Sequence, residues 1–288
     1  MDRENCFNPD GLILSARYAE TMNDSVLPFL SERRVQKTVS GFGGRPLACF
    51  CYEADAPRGT VLILHGFAES AFKYSEIIHS LVKNGYSVLA YDQRDHGNSW
   101  RKEGLSDNSL THVDDFGEYE KDLEIVCGEL LEGMPRPHYI FAHSMGGAVA
   151  AFFIEHHPGV FQKTVLCAPM IAPDRKGLPL FLAKGVCGLP VLRGRGDSRS
   201  FTTKPYAGLE DFSAACASGR ERFDWYAGIR AAHPEYQSNS PSYRWMWEAV
   251  NVTEKLVLLP CGHMFHWKCC LNWLKKNNTC PMCRFEIK

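Results

Sequence analysis

The residue with the clearest chemical potential in this sequence is Ser144. Residues 139–148 read Tyr-Ile-Phe-Ala-His-Ser-Met-Gly-Gly-Ala, an apolar run followed by small residues. This pattern predicts a strand, a tight turn and a helix, and the small residues at positions 142, 146 and 147 leave room for the turn. Such a turn exposes the serine hydroxyl as a nucleophile. The alternative, a helix N-cap serine after a buried strand, explains Ser144 but not the glycines or His143.

A second group of reactive side chains lies in the last 28 residues. Cysteine and histidine occur there at short spacings, in the order Cys261, His263, His266, Cys269, Cys280 and Cys283. Thiolate and imidazole groups at such spacings are typical zinc ligands. A chain that is merely rich in reduced cysteine does not produce this order, so the sequence predicts zinc binding.

Composition places the chain among ordinary soluble globular proteins. It has 288 residues, 45% of them hydrophobic and 23% charged, and a formal net charge of −1. The chain therefore has no large positive net charge that would attract nucleic acid, and we expect no nucleic-acid partner. Residues 253–288 differ from the rest, with six basic against two acidic side chains, whereas residues 1–252 carry 26 basic and 31 acidic ones. This change in charge predicts a separate C-terminal module.

Cysteine usage and the first residues bear on the compartment. Seven of the twelve cysteines are scattered through residues 1–252 without a pairing pattern, which favours a reducing environment. Residues 1–5 carry neither a basic segment nor an apolar core of a signal peptide. The apolar stretch 177–192 is short and interrupted by proline, so it does not predict a transmembrane helix. We expect a cytoplasmic protein that can associate peripherally with membranes.

The elements around Ser144 follow from the hydrophobic pattern. Alternating strands are predicted at 34–39 and 47–53, joined by a glycine-rich turn. Continuous apolar runs, typical of strands buried on both faces, occupy 60–64, 86–91, 139–142 and 164–168. Helical spacing separates them at 72–83 and 113–132. Strands that alternate with helices predict an α/β fold with a mostly parallel sheet and helices on both faces.

Residues 170–250 break this alternation. They are irregular, contain glycine and proline, and include eleven aromatic side chains from position 181 to position 247. The stretch is too long for a loop, so it predicts an insertion, or cap, over the mouth of the sheet. Its aromatic side chains could line a channel for an acyl chain or form the core of the insertion, and the sequence leaves both open.

Four motifs in the first part of the chain resemble the α/β-hydrolases of the monoacylglycerol lipase and lysophospholipase L2 group. The resemblance covers about residues 10–250, and its motifs are His65-Gly66-Phe67, Asp92-x-Arg94-x-x-Gly97-x-Ser99, His143-Ser-Met-Gly-Gly and Cys167-Ala168-Pro169. It implies that Ser144 is the nucleophile and that the backbone N–H groups of Phe67 and Met145 form the oxyanion hole. It also implies a lysophospholipid or monoacylglycerol substrate, acyl-enzyme chemistry and no organic cofactor. His65 would be structural, and Asp92, Arg94 and His96 would order a loop.

The remaining members of a catalytic triad are not found where this resemblance requires them. The acid and the histidine should follow the insertion, each after a strand. Residues 256–259 could form the next strand, but Cys261-Gly262-His263 follows without a carboxylate. Asp224 and His233 have the right order, yet they lie inside the insertion, where we expect surface residues. We therefore predict an ester hydrolase lineage with impaired catalysis, because a serine without its base is a weak nucleophile.

The C-terminal pattern resembles the last six ligands of a RING-H2 finger, the zinc module of many ubiquitin ligases. This resemblance implies that Cys261, His263, Cys280 and Cys283 bind one zinc ion. His266 and Cys269 would be half of a second site, whose leading cysteine pair is missing. One zinc ion per chain is expected, and Cys270 should face the core of a small helix. By the same resemblance, a ubiquitin-conjugating enzyme would contact Trp273, Pro281 and Arg284.

The predicted organisation is a hydrolase core at 1–169, a cap at 170–250 and a partial RING-H2-like module at 251–288. The two resemblances meet near residues 249–255, where the hydrolase lacks its last strands. Residues 256–259 are expected to cover the open edge of the sheet. Three functions remain open: a serine ester hydrolase, a zinc-binding RING-type ubiquitin ligase or adaptor, and a non-catalytic lipid-binding protein derived from a hydrolase.

Overall fold

The computed structural model describes the hydrolase-like part of the chain almost completely and the C-terminal part in short segments. The described residues are 13, 15–173, 177–208, 210–215, 217–253, 256–258, 264–266, 270–271, 274–279 and 286–287. The predicted zinc ligands Cys261, His263, Cys269, Cys280 and Cys283 lie outside them, as do Trp273, Pro281 and Arg284. His266 is described only as part of a strand.

Among the described residues, six strands form the central sheet, in the order β1-β2-β4-β3-β6-β7. The first three are antiparallel neighbours, and β4, β3, β6 and β7 run parallel. The strand bounds are β1 Arg34–Gly41, β2 Arg45–Tyr52, β3 Thr60–Leu64, β4 Ser87–Tyr91, β5 Leu110–Thr111, β6 His138–His143, β7 Lys163–Cys167, β8 Ser240–Pro241, β9 Leu256–Leu258 and β10 Met264–His266. This confirms the predicted α/β fold with a mostly parallel sheet.

In the part of the chain that the structure describes, α-helices α1 to α8 accompany the strands. Their bounds are α1 Tyr18–Thr21, α2 Leu27–Arg33, α3 Ser75–Lys83, α4 Gly117–Glu129, α5 Met145–His156, α6 Leu180–Leu192, α7 Arg220–Ala232 and α8 Tyr243–Thr253. Short 3-10 turns occur at Ser15–Arg17, Phe42–Gly44, Ala71–Tyr74, Leu131–Gly133, Phe212–Ala214 and Pro234–Tyr236, and a π turn at Met22–Val26. In the described part of the chain no helix has both the length and the apolar character needed to cross a membrane.

The apolar runs form strands because helices cover both faces of the sheet. All five residues of β3 and of β4 are buried. Leu62 and Leu64 pack with the side chains of α4 and α5, whereas Ile63 faces the opposite core, which α2 and α3 complete. Alternate residues of one strand thus enter two different cores, as the pleat requires.

The edge strand β7 differs from the strands inside the sheet. Its burial alternates between half-buried and exposed, and Val165 is 54% exposed. The expectation that residues 256–259 cover this edge is wrong for the described part of that segment. Leu256–Leu258 pairs with β10 in a separate antiparallel hairpin. Strand β10 lies only a few residues from β9 along the chain. Pairing these two strands therefore costs less conformational entropy than pairing β9 with the distant edge strand β7.

The segment between β7 and β9 contains α6, α7 and α8, which we call the cap helices. The cap joins the loop before α4 through a short parallel pairing of Leu110 with Ser240. The Arg199 guanidinium strengthens this joint, since it donates to both carboxylate oxygens of Asp107 at 2.8 Å. The cap is therefore fixed to the core on the side where the parallel strands end.

Candidate active site

Ser144 occupies a strained turn between β6 and α5. Its backbone has φ 49° and ψ −117°, a region that residues with side chains rarely adopt. A Cβ atom on Gly146 would lie 2.5 Å from the carbonyl oxygens of Leu64 and His65, so only glycine fits there. The Ser144 side chain makes no capping hydrogen bond to α5, which removes the N-cap alternative. The predicted strand–turn–helix with its required glycine is confirmed.

Backbone hydrogen bonds fix the turn from both sides. The Ser144 N–H donates to the Cys167 carbonyl at 3.1 Å, and the Ser144 carbonyl accepts from Met170 N–H at 2.8 Å. Both partners lie at or after the end of β7. The serine turn is thus tied to the last residue of β7 and to the segment that follows this strand.

The predicted oxyanion donors lie on two segments that approach each other closely. Met145 is the first residue of α5 and is buried, and N–H groups in the first turn of a helix have no acceptor within the helix. Phe67 follows Gly66, and a Cβ on Gly66 would lie 3.1 Å from Ser144 Cβ. The loop that carries Phe67 therefore runs beside the serine. The role of both N–H groups remains a prediction.

Glu69 is a buried charged residue whose importance the sequence did not reveal. It is 9% exposed, and its carboxylate accepts hydrogen bonds from Gly66 N–H, Lys73, Tyr74 and His143. Burial alone would raise the pKa of Glu69, but the hydrogen bond from His143 and the charge of Lys73 outweigh it and lower this pKa well below its usual range. Glu69 is therefore ionised at neutral pH.

The His65 ring has a structural role, as predicted. Its Nδ1 lies 2.7 Å from the Gly66 carbonyl, and its Nε2 accepts from Gln93 N–H at 2.9 Å. Burial lowers the pKa of His65, which keeps the ring neutral. With both ring nitrogens engaged by backbone, this imidazole cannot serve Ser144 as a base.

The predicted loop-ordering residues also have structural partners. Asp92 accepts from Ala71 N–H at 2.7 Å and from Asn98 N–H at 2.8 Å. Arg94 forms a two-point ion pair with buried Asp122, at 2.6 and 2.8 Å. These contacts connect the loop after β4 to its surroundings.

His96 completes this loop through its Nδ1, which lies 2.9 Å from the Arg94 carbonyl. The imidazole is buried edge-on against the Phe67 ring, with the ring centroids 5.8 Å apart. It thus supports the loop that carries a predicted oxyanion donor, and its contacts agree with an ordering role.

Asp224 and His233 do not assemble a triad. Asp224 is 52% exposed and pairs with Arg220 at 2.7 Å, and His233 is 50% exposed beside Glu235 at 3.2 Å. Both are surface residues, as expected. Among the described residues, no hydrogen bond joins an imidazole or a carboxylate to Ser144 Oγ.

The described parts of the C-terminal module flank the predicted zinc ligands in sequence. Leu258 pairs with Met264 on either side of Cys261 and His263. Thr279 bridges Glu286 on either side of Cys280 and Cys283, and Ile287 N–H donates to the Asn278 carbonyl at 2.7 Å. Three thiolates and one imidazole are a donor set that suits tetrahedral zinc.

Cys270 lies in the core of this module. It is 1% exposed and packs against Val257, Leu274 and Ile287. The prediction that it faces the core is confirmed.

The sheet order and the strained serine turn define an α/β-hydrolase. Residues 55–258 match the family model described as serine aminopeptidase, S33, and the chain belongs to this family. Residues 247–284 match a second model, described as a Ring finger domain. This match implies zinc binding, since RING fingers fold around zinc. The two matched ranges overlap at 247–258.

Curated relatives are similar to each part separately. Lysophospholipase L2 of Escherichia coli K12 is 29% identical over 227 residues, which cover 78% of this chain and 66% of that protein. The chain thus spans slightly less than two thirds of this relative. An E3 ubiquitin-protein ligase of Arabidopsis thaliana is 66% identical over 29 residues, 10% of each protein.

Solved structures share the fold of the first part. A crystal structure of a soluble variant of monoglyceride lipase from Saccharomyces cerevisiae, in complex with a substrate analog, superposes with a TM-score of 0.53. It is 18% identical and covers 77% of this chain and 68% of the other. At this identity the likeness supports the α/β-hydrolase fold alone.

Proposed function

We propose that the hydrolase part of this chain is a serine ester hydrolase of the lysophospholipase or monoacylglycerol lipase type, with impaired turnover. The observation that carries this proposal is the backbone of Ser144 at φ 49° beside Gly146. A strained serine turn costs about 1–3 kcal/mol and is typical of functional sites. The similarity to lysophospholipase L2 favours a single-chain lipid ester as substrate.

The proposed chemistry is acyl transfer. Ser144 Oγ attacks the ester carbonyl, and the oxyanion that forms accepts hydrogen bonds from the N–H groups of Phe67 and Met145. Collapse of this intermediate breaks the ester bond, releases the alcohol and leaves the acyl group on Ser144. Water then hydrolyses the acyl-enzyme.

The impairment is proposed because none of the residues that the structure describes is placed to act as a base for Ser144. The partners that Asp224 and His233 have on the surface support this view. Loss of triad members leaves the residual catalysis of the oxyanion hole and of binding, about 10³–10⁴-fold above water. We expect slow acylation and barely measurable turnover of lysophosphatidylcholine or monoacylglycerol.

A fluorophosphonate probe tests the nucleophile directly, because it forms an Oγ–P bond and releases fluoride without needing later hydrolysis. We expect slow labelling of the wild-type chain at Ser144 and none in Ser144→Ala. Labelling that is unchanged in Ser144→Ala would exclude Ser144 as the nucleophile. If the wild-type chain binds the lipid but is never labelled, the non-catalytic lipid-binding function is the correct one.

A second function is favoured by the Ring finger match at 247–284. We propose that this module binds one zinc ion through Cys261, His263, Cys280 and Cys283 and acts as a ligase or adaptor for a ubiquitin-conjugating enzyme. Trp273, Pro281 and Arg284 would form the contact. Because His266 and Cys269 would be only half of a second zinc site, we expect weak ligase activity.

Zinc content tests this second proposal. Elemental analysis of the purified full chain should give one zinc per chain, and Cys280→Ser with Cys283→Ser should remove it. Two zinc ions per chain would contradict the proposed half site. Ubiquitin transfer with a conjugating enzyme, compared with Trp273→Ala, distinguishes a ligase from a passive adaptor.

Peripheral membrane association is proposed from the surface of the cap. Phe181 and Leu192, both on α6, are 72% and 86% exposed, and Phe201 beyond the helix is 78% exposed. Exposed Arg193 and Arg195 lie between Leu192 and Phe201 in sequence, so these apolar side chains have cations near them in the chain that suit anionic headgroups. In a flotation experiment, the wild-type chain should rise with phosphatidylglycerol vesicles. The double variant Phe181→Ser with Leu192→Ser should not. Equal flotation of both would exclude this surface.

A further inference from the structure

The carboxylate of Glu69 joins the two segments that carry the proposed catalytic groups. Its Oε2 accepts from Gly66 N–H at 2.8 Å and lies 3.1 Å from His143 Nδ1. A carboxylate can only accept, so this imidazole nitrogen carries the proton. Gly66 directly precedes Phe67, and His143 directly precedes Ser144. The two residues that contact this one oxygen atom are thus the direct sequence neighbours of the proposed nucleophile and of a proposed oxyanion donor.

We propose that Glu69 is a positioning residue that clamps the oxyanion loop to the nucleophile turn, so that the Phe67 N–H points at the substrate oxygen. The proposal rests on the proposed hydrolase function. It assigns Glu69 no contact with substrate, since the side chain is 9% exposed and its oxygens are taken by protein donors. Its effect passes through Gly66 and His143.

The remaining contacts of Glu69 explain how it is held in place. Tyr74 OH donates to Oε2 at 2.6 Å, and the Lys73 ammonium donates to Oε1 at 2.6 Å. Both donors lie in the 3-10 turn Ala71–Tyr74, on the chain just before α3. The carboxylate therefore connects three segments: the oxyanion loop, the end of β6 and the start of α3.

Close packing around Gly66, in addition to the hydrogen bonds of Glu69, restricts the position of the loop. A Cβ on Gly66 would lie 2.9 Å from Glu69 Oε2, 3.0 Å from His143 Nδ1 and 3.1 Å from Ser144 Cβ. The backbone at position 66 is thus enclosed by the three side chains together. A shift of about 1 Å in an oxyanion donor can lower the rate about a hundredfold. A more mobile loop at Gly66 would therefore slow the reaction at Ser144.

A glutamine at position 69 separates clamping from ordinary packing, because it keeps the size of the side chain. Its single carbonyl oxygen cannot accept from Gly66, Lys73, Tyr74 and His143 together, and its amide group places a donor against another donor. Glu76→Gln is the matched control. Glu76 lies on α3 and pairs with Arg222 at 2.7 Å, so its substitution removes an ion pair without touching the loop.

The first measurement is the rate of Ser144 modification by the fluorophosphonate, resolved into probe affinity and maximal rate. Glu69→Gln should lower the maximal rate about tenfold or more and leave the affinity within about twofold, because the clamp acts on the reacting geometry. Glu76→Gln should change neither quantity by more than about twofold. A folded Glu69→Gln variant that reacts as fast as wild type overturns the proposal.

The second measurement is hydrogen exchange of the Gly66 and Phe67 amides, which requires no chemistry at Ser144. Glu69→Gln should speed this exchange about tenfold or more, while exchange in β3 and β4 stays unchanged. If Ser144 is inert in the wild-type chain, the proposed hydrolase function fails, and the exchange result alone decides on the clamp. Unchanged exchange at Gly66 and Phe67 overturns it in either case.

Discussion

The indole of Trp245 packs against the ring of Phe67, with the two ring centroids 4.3 Å apart. Its Nε1–H donates to Tyr119 OH at 3.1 Å, so a single cap residue contacts both the predicted oxyanion loop and α4. Trp245 is buried at the start of α8. The cap thus contacts the predicted oxyanion loop at Phe67, whereas Glu69 contacts the same loop at Gly66.

Trp245→Ala should destabilise the hydrolase part by about 3–5 kcal/mol, because it opens a cavity and leaves the buried Tyr119 hydroxyl without its donor. Urea unfolding followed by circular dichroism measures this free energy. The control is Phe201→Ala, which removes an exposed aromatic side chain and should change stability by less than about 0.5 kcal/mol. Equal effects of both substitutions would show that Trp245 does not hold the cap to the core.

Ser144→Gly should stabilise the fold by about 1 kcal/mol while it abolishes labelling. The backbone at φ 49° and ψ −117° strains any residue with a Cβ by about 1–3 kcal/mol, and the greater freedom of glycine in the unfolded chain offsets part of this gain. Ser144→Ala keeps the Cβ, so its stability should match wild type. Thermal unfolding of the three proteins under one condition makes the comparison. A Gly variant no more stable than the Ala variant would mean that the turn carries no strain.

Most strands around the site could be predicted because burial on both faces leaves a continuous apolar run. The run at 60–64 coincides with β3, and the turn at Ser144 was predicted because its glycines have no other explanation. The predicted first residues of helices were less accurate than the predicted strands. The pattern at 113–132 extends beyond α4, since apolar residues such as Val113 and Phe116 enter the core from the loop before the helix.

The contacts that complete the site could not be read from sequence spacing. Glu69 meets His143 across 74 positions, and Trp245 meets Tyr119 across 126. Neither pair follows a helix or strand period, and both depend on how the cap and the parallel strands assemble. The pairing of Leu256–Leu258 was missed for a related reason, since an apolar run gives no information on its neighbour.

The pH dependence of stability should carry a contribution from Asp95. This fully buried carboxyl lies in the loop after β4, and burial raises its pKa to about 6, against which the N–H groups of Lys102 and His112 act only in part. A carboxyl with a raised pKa in the folded state binds its proton more tightly there than in the unfolded chain. Its contribution is therefore present below about pH 4 and is lost as the pH rises to about 6.

Chemical denaturation from pH 4 to pH 7 measures this contribution. The free energy of unfolding of the wild-type chain, relative to that of Asp95→Asn, should fall by about 1–3 kcal/mol between pH 4 and pH 6 and stay constant above. Asp107 should contribute a pH dependence of opposite sign to the free energy of unfolding. Its desolvation raises its pKa, but hydrogen bonds from Ser109 and Arg199 outweigh this effect and lower the pKa of Asp107 to about 2. The difference between wild type and Asp107→Asn should rise with pH over the range from 2 to 4. A flat difference for Asp95→Asn would mean that its pKa is not raised.

The open edge of β7 should make the chain self-associate. In the part of the chain that the structure describes, β7 ends the sheet and has no partner beyond β6. An edge strand with unpaired backbone groups and an apolar side chain such as Val165 is a template for pairing with another chain. Sedimentation velocity over increasing concentration should show reversible association. Val165→Lys should suppress it, because pairing of two edges would bring the lysine charges of two chains into the contact. The control Leu192→Lys also removes an exposed apolar side chain, but from a helix, and should leave the association unchanged. If Leu192→Lys suppresses association as strongly as Val165→Lys does, the contact is made by the cap, and the edge of β7 is covered by other means.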